Sequence, residues 1–302
     1  MERLTFTNAL GQSIVIATNS ATYRLATLQM APLKDTAQTS KGYQQDGYDY
    51  EGAYAEMRDL SVSFIVFGNG YQDQFSKRRT IKSILNPQLG EGTLKYQNDY
   101  FTTGKNITVK IDAEPQFSTS KDGFGYHAQI CGFTMTAYYP YWEDLTETST
   151  ELVGLTGGFV WDDADIPEPI YFESATAFYM GEIDSASAVL TNLGDVPAPL
   201  TIEWIGAAEN PKITLEDTGE YILLEKVLGA DEKLTITTGY GDKNVYIEDL
   251  GTGDIDKDFS LVDSASTFFS LPVGTSTISL TADTGAASAA VTLKWTNLYI
   301  GV

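Results

Sequence analysis

Arg58-Asp59-Leu60-Ser61-Val62-Ser63-Phe64-Ile65-Val66-Phe67 is the stretch whose reading decides the fold. Leu60, Val62, Phe64 and Val66 recur at every second residue, with Ser61 and Ser63 between them. A period of two places the apolar set on one face of a β-strand and the serines on the other, until Ile65 and Phe67 turn that second face apolar as well. The same rhythm runs outward in both directions. Upstream, Leu4 and Phe6 precede Asn8-Ala9-Leu10-Gly11, and Ile14 and Ile16 come next, which reads as a hairpin turning at Gly11. Downstream, Ile107, Val109 and Ile111 alternate with polar residues, and Cys131, Phe133, Met135 and Ala137 form another inward face. Beyond residue 170 the style repeats at Leu200, Ile202 and Trp204, at Leu234 and Ile236, at Ile278 and Leu280, and at Val291, Leu293 and Trp295. Gly, Asp and Asn punctuate these runs at the spacing of an all-β sandwich, so the fold class is mainly β.

One helix interrupts the strands. Gly68-Asn69-Gly70 ends the deciding strand, and Asn86-Pro87 stops the helical segment after it. Between them Tyr71, Phe75, Ile81, Ile84 and Leu85 fall on or near one stripe, which predicts an apolar face built from those residues. Asp73 lies in the first turn and Lys77, Arg78, Arg79 and Lys82 in the later ones, an order that suits the helix dipole. Arg78 sits within the stripe, where it either snorkels or faces a neighbouring subunit.

Two segments lack periodicity. Residues 34–56 carry Tyr43, Tyr48, Tyr50 and Tyr54 among Gly, Gln and Asp, with almost no aliphatics. They read either as a solvated loop or as one that docks on a partner, because tyrosine offers large contact area at low entropy cost. Residues 144–169, with Asp162-Asp163, Pro167 and Pro169, read as a connection between a first domain, 1–143, and a second, 170–302. Charge supports that division. Residues 1–143 hold 14 acidic and 13 basic side chains, whereas residues 144–302 hold 27 and 6, and the chain as a whole carries −22. The acidic half repels phosphate, so nucleic acid is not an expected partner there; its plainest role is solubility.

Catalytic chemistry has little to work with. His127 is the single histidine and no nucleophile-elbow motif accompanies it, so a strand-end histidine is expected rather than a triad member. Cys131, the single cysteine, excludes an intrachain disulfide and sits on an apolar face as a small hydrophobe. Asp254-Ile255-Asp256-Lys257-Asp258 begins like a calcium loop, but Phe259 stands where glycine is needed and Ala265 where a bidentate acid is needed. No run approaches a membrane span, and Met1–Phe6 lacks the apolar stretch of a secretion signal. The expectation is a protein with no catalytic centre, cofactor or metal.

Residues 67–96 carry a resemblance. Phe67-Gly68-Asn69-Gly70-Tyr71 leads to Phe75, Arg78-Arg79, Ile81 and Leu85-Asn86-Pro87, then to Leu89-Gly90-Glu91-Gly92, Leu94 and Tyr96. This resembles the strand–helix–strand signature of siphophage distal tail proteins. Gly42, Asp46-Gly47 and Arg58 are similar to that family's loop into the strand, and Tyr138-Tyr139-Pro140-Tyr141-Trp142 to the aromatic–proline end of its first domain. Asn192–Pro199, Asn210-Pro211-Lys212-Ile213, Ser266–Leu271, Gly274 and Tyr299 are similar to its second domain. The resemblance implies an N-terminal β-sandwich-like domain with one α-helix and a C-terminal galectin-like β-sandwich. It implies a hexameric ring of this chain at the distal end of a virion tail, made in the host bacterial cytoplasm. The implied partners are the tail tube protein, the tail-tip hub or tail-associated protein, and a receptor-binding protein; neither a membrane nor sequence-specific nucleic acid is among them.

Tyr43, Tyr48, Tyr50, Tyr54, Arg78 and Arg79 are then the candidate subunit interface. The tyrosines supply flat contacts, and the arginines can grip carboxylates of a neighbour in bidentate geometry. The competing reading is a carbohydrate-binding adhesin of two β-domains, which requires an exposed aromatic platform. Trp161 and Tyr179 are its candidates, while Trp204 and Trp295 read as core.

Overall fold

The computed structural model of the chain describes residues 1–101, 103–120, 123–153, 185–286 and 289–302. It divides into two compact units, one of Met1–Leu145 with Leu298–Val302 and one of Thr146–Asn297. The boundary therefore falls between Leu145 and Thr146, and Thr148–Val153, inside the segment expected to connect the domains, is a strand of the second unit. Residues 154–169 of that segment, and Trp161 and Tyr179 with them, lie outside the described residues. The last five residues return to the first unit because Leu298–Tyr299 pairs with Trp142–Asp144.

In the first unit, β1 (Arg3–Thr7) and β2 (Ser13–Ala17) form the opening hairpin, and the Asn8 side chain accepts the Leu10 and Gln12 N–H groups to fix its turn. β3 (Tyr23–Met30) pairs with β6 (Arg58–Phe67), and β4 (Asp35–Ser40) with β5 (Asp49–Ala55) makes a hairpin between them in sequence. After helix α1 (Tyr71–Ile84) come β7 (Glu91–Gln97), β8 (Lys105–Ile111), β9 (Gln116–Phe117), β10 (Ala128–Ala137) and β11 (Trp142–Asp144). Neighbours run β11-β8-β7-β1-β2-β3-β6-β10-β9, and a short β8–β10 pairing closes the sheet on itself. Its opposed halves are sandwich-like in sharing one core. Leu60, Val62, Phe64 and Val66 point into that core with Leu4, Phe6, Ile107, Cys131 and Met135, as period two requires. Trp142, without measurable exposure, plugs one side against the Tyr96 ring, 6.2 Å between centroids.

The buried face of α1 is not the expected one. Gln74, Ile81 and, just past the helix, Leu85 are buried, whereas Tyr71 and Phe75 are exposed. Two contacts fix this rotation. Gln74 Nε2 donates to the Gly125 carbonyl at 3.1 Å, and its Cγ would lie only 2.7 Å from a Cβ at residue 68, a space that Gly68 leaves open. Gly70 caps the helix at φ 105°, a region closed to most side chains. In place of a side-chain cap, Asp73 Oδ2 accepts the Asn69 N–H at 2.9 Å and holds Lys77 Nζ at 2.7 Å.

The second unit is a pair of antiparallel sheets around one core. A six-stranded sheet runs Thr148–Val153, Ala290–Trp295, Leu200–Ile205, Glu232–Gly239, Asp242–Asp249 and Ile255–Lys257; a four-stranded one runs Ser185–Asn192, Gly274–Thr281, Lys212–Leu215 and Glu220–Leu223. Ile202, Trp204, Ile236 and Leu293 of the first pack with Leu190, Ile213, Ile222 and Ile278 of the second. Trp204 and Trp295 are both buried, as their strand positions predict.

Candidate subunit interface

The interface candidates fall into two places in the first unit. Tyr43, Tyr48, Tyr50 and Tyr54 all lie on the β4–β5 hairpin. Every residue of β4 is exposed, and β5 has only Gly52 and Ala55 partly covered. Tyr43 is 95% exposed, and Lys41 Nζ sits 5.0 Å from the centre of the Tyr48 ring. The register shifts between Gln38 and Thr39, so that Tyr54 pairs with Thr36 but Tyr50 with Thr39. Thr36 and Thr39 point to opposite faces of the regular strand β4, so this bulge gives each face of the hairpin one tyrosine.

Arg78 and Arg79 lie on α1, and they do different work. Arg78 is half-buried. Its Nε donates to Gln129 Oε1 at 2.5 Å, and its guanidinium carbon lies 4.8, 5.2 and 5.4 Å from the ring centres of Phe75, Phe117 and Phe124. Gln129 is itself buried and anchored through Nε2 to the Ser118 carbonyl at 2.6 Å. Arg78 therefore organises an aromatic cluster, and Tyr71 extends that cluster by lying 5.6 Å from the Phe124 ring and 5.2 Å from the Tyr126 ring. Arg79, by contrast, is exposed and lines a shallow surface hollow with Gln12, Ser76 and Ser83. Sequence reasoning missed Phe117, Phe124, Tyr126 and Gln129; they reach the helix only through the pairing of β10 with β6 and β9.

The residues with chemical potential are occupied structurally. Burial pushes the Cys131 thiol up to about 12, so it stays protonated at neutral pH and packs as a small hydrophobe. His127 Nδ1 is 3.3 Å from the Gly68 carbonyl and its ring stands edge-on to Tyr126. Asp258 accepts the Ser260 N–H at 2.9 Å as a helix cap rather than contributing to an ion loop. Among the described residues no three His, Cys, Asp or Glu side chains are grouped to hold a metal, and no helix is long and apolar enough to cross a membrane. In the second unit Glu203, on the outer face of the six-stranded sheet, receives Lys294 Nζ at 2.9 Å and Lys233 Nζ at 3.2 Å. Burial alone would raise its carboxyl, but these two partners win and hold it below the ordinary carboxylate range.

The architecture is thus a closed β-barrel carrying one helix in the first unit and a two-sheet sandwich in the second. Two family models match. The phage tail protein RIFT-related domain covers residues 19–125, and the siphovirus-type tail component C-terminal domain covers residues 193–299. The chain belongs to the siphovirus distal tail protein family and is a structural component of the phage tail, not an enzyme. Its fold is that of the Dit (gp 19.1) protein of SPP1, at 12% identity and TM-score 0.64 over 98% of each chain. A chain of the phage P2 baseplate in its activated conformation with Ca is similar at 13% identity and TM-score 0.50, again over 98% of each. No curated protein matches the chain.

Proposed function

We propose that six copies of this chain close into a ring at the distal end of the tail, joining the tail tube to the tail-tip hub and to receptor-binding parts. The related SPP1 protein is described as a paradigm of the hub adsorption apparatus in phages infecting Gram-positive hosts, which supports a position at the tip. Residues 1–143 form the ring. The second unit, a galectin-like sandwich in this reading, presents its acidic surface to other components. The observation that carries the reading is the β4–β5 hairpin, exposed on both faces. A two-stranded hairpin without a covering layer is marginal in water, so a hairpin bearing four exposed tyrosines is built to be covered by a partner. The near balance of 14 acids and 13 bases in residues 1–143 lets six copies meet without accumulated repulsion.

Electron microscopy of the full-length protein, alone and mixed with tail tube protein, tests this. Six-fold rings are the expected result. Monomers in both samples, at any concentration reached, would overturn the ring.

A further inference from the structure

The hairpin is one half of a contact, and a ring needs a second, different patch to receive it. The first unit holds a surface that suits it. Tyr71, Phe75 and Tyr126 are 48%, 55% and 55% exposed. These side chains surround the Arg78 cluster, so the patch is apolar, rigid and centred on a cation. That composition is enriched where proteins bind one another and rare on surfaces that stay in water.

Charge selects the occupant. Residues 34–56 carry Asp35, Asp46, Asp49, Glu51 and Glu56 against Lys34 and Lys41, a net of −3. Helix α1 carries Lys77, Arg78, Arg79 and Lys82 against Asp73, a net of +3. Asp73 offsets Lys77 and Glu114 offsets Lys82 at 3.1 Å, so the uncompensated charge of the helix concentrates at Arg78 and Arg79, and Arg79 is the exposed i+4 neighbour of Phe75. Chemistry matches as well. Tyrosine rings of the hairpin fit against tyrosine and phenylalanine rings, and Asp46 and Asp49, beside Tyr48, fit the arginines.

We infer that the β4–β5 hairpin of one copy docks on the Arg78-centred aromatic patch of the next copy, through tyrosine–aromatic packing and pairing of Asp46 and Asp49 with Arg79. The inference rests on the ring reading and assigns the two sides of its repeating contact. Because the two patches are different and lie on the same chain, each copy gives one contact and receives one, the arrangement that closes into a ring.

Cysteine cross-linking in the full chain tests it. Cys131 is fully buried and can stay. A double variant, Tyr48→Cys with Phe75→Cys, is oxidised under assembly conditions with tail tube protein and run on a non-reducing gel beside each single variant. A ladder of oligomers from the double variant alone is expected. Assembly by mass photometry without a ladder would overturn the docking while leaving the ring intact, and would mean that the hairpin binds another surface or another tail component. Wild-type protein that never assembles would remove both. Should the cysteine variants themselves not assemble, charge exchange decides. Arg79→Glu is expected to raise the half-assembly concentration about tenfold or more. Combining it with Asp46→Lys and Asp49→Lys is expected to restore most of that loss, and failure to restore it counts against the pairing.

Discussion

The two units solve the same problem, a β-protein in water, with opposite surfaces. Among the described residues, ten aromatic side chains are exposed in the first unit and two in the second. All five arginines lie in the first half of the chain, which is almost neutral, while the second half carries 27 acids against 6 lysines. Arginine and tyrosine are the side chains that interfaces favour, and a field of carboxylates keeps a surface apart from its neighbours. The difference teaches that the side chains suited to association are concentrated in one unit, so that in the proposed ring stability and assembly are separable within the chain.

The sharpest way to break that comparison is to damage each core in turn. Trp142 in the first unit and Trp204 in the second have no measurable exposure. Replacement by alanine is expected to cost about 3–5 kcal/mol in either case. In calorimetry Trp142→Ala should lower one transition and Trp204→Ala the other; a common shift in a single transition would show the units to be one cooperative body. A related test removes Leu298–Val302. Leu298 is buried, Arg58 Nη2 donates to the Ile300 carbonyl at 2.6 Å, and Tyr299 bonds Asp144 at 3.1 Å, all within the first unit. Its loss is expected to cost the first unit roughly 3 kcal/mol and the second nothing, as read by the same two transitions.

Acid should separate the units by sign. Glu203 has its carboxyl held below the ordinary range, so the stability it contributes is present above the usual carboxylate pKa of about 4.3 and is lost as pH falls through its lower folded value. Glu203→Gln is therefore expected to destabilise the second unit by on the order of 1 kcal/mol at pH 7, a difference that closes toward strong acid. Glu143 behaves inversely. Burial raises its carboxyl, so its contribution is present below the usual carboxylate pKa and is lost as pH rises through the raised value. Glu143→Gln should leave the first unit equally or slightly more stable at pH 7. Urea unfolding of each variant between pH 3 and pH 7 reads both signs, and parallel pH trends in the two variants would contradict the assignment.

How much of this is legible in the sequence depends on the surface each segment buries. Leu60, Val62, Phe64 and Val66 announce their strand because one face meets a core and the other does not. Residues 34–56 do not announce theirs. The β4–β5 hairpin buries neither face, so nothing forces its polar and apolar residues to alternate, and it reads as a loop. Helix α1 is legible as a helix but not in its orientation. Tyr71 and Phe75 are apolar for a surface patch rather than for the core, while Gln74 is buried by a bond to the Gly125 carbonyl some fifty residues away. The aromatic cage of Arg78 and the return of Leu298–Tyr299 are likewise products of long-range pairing, which local periodicity does not encode.

The smallest expected effect on stability tests the comparison most finely. Tyr48 and Tyr50 are exposed, and neither side chain contacts the barrel core of the first unit. Replacing both with serine removes only surface that water already reaches, so each calorimetric transition should stay within about 0.5 kcal/mol of wild type. The same double variant should lose assembly, because tyrosines of this kind dominate contact energy where they become buried between partners. Stability without assembly is the signature of residues kept for association. If the variant instead lost stability and kept assembly, the hairpin would be a structural part of the barrel, and the contrast between an adhesive first unit and a repelling second one would have to be drawn elsewhere.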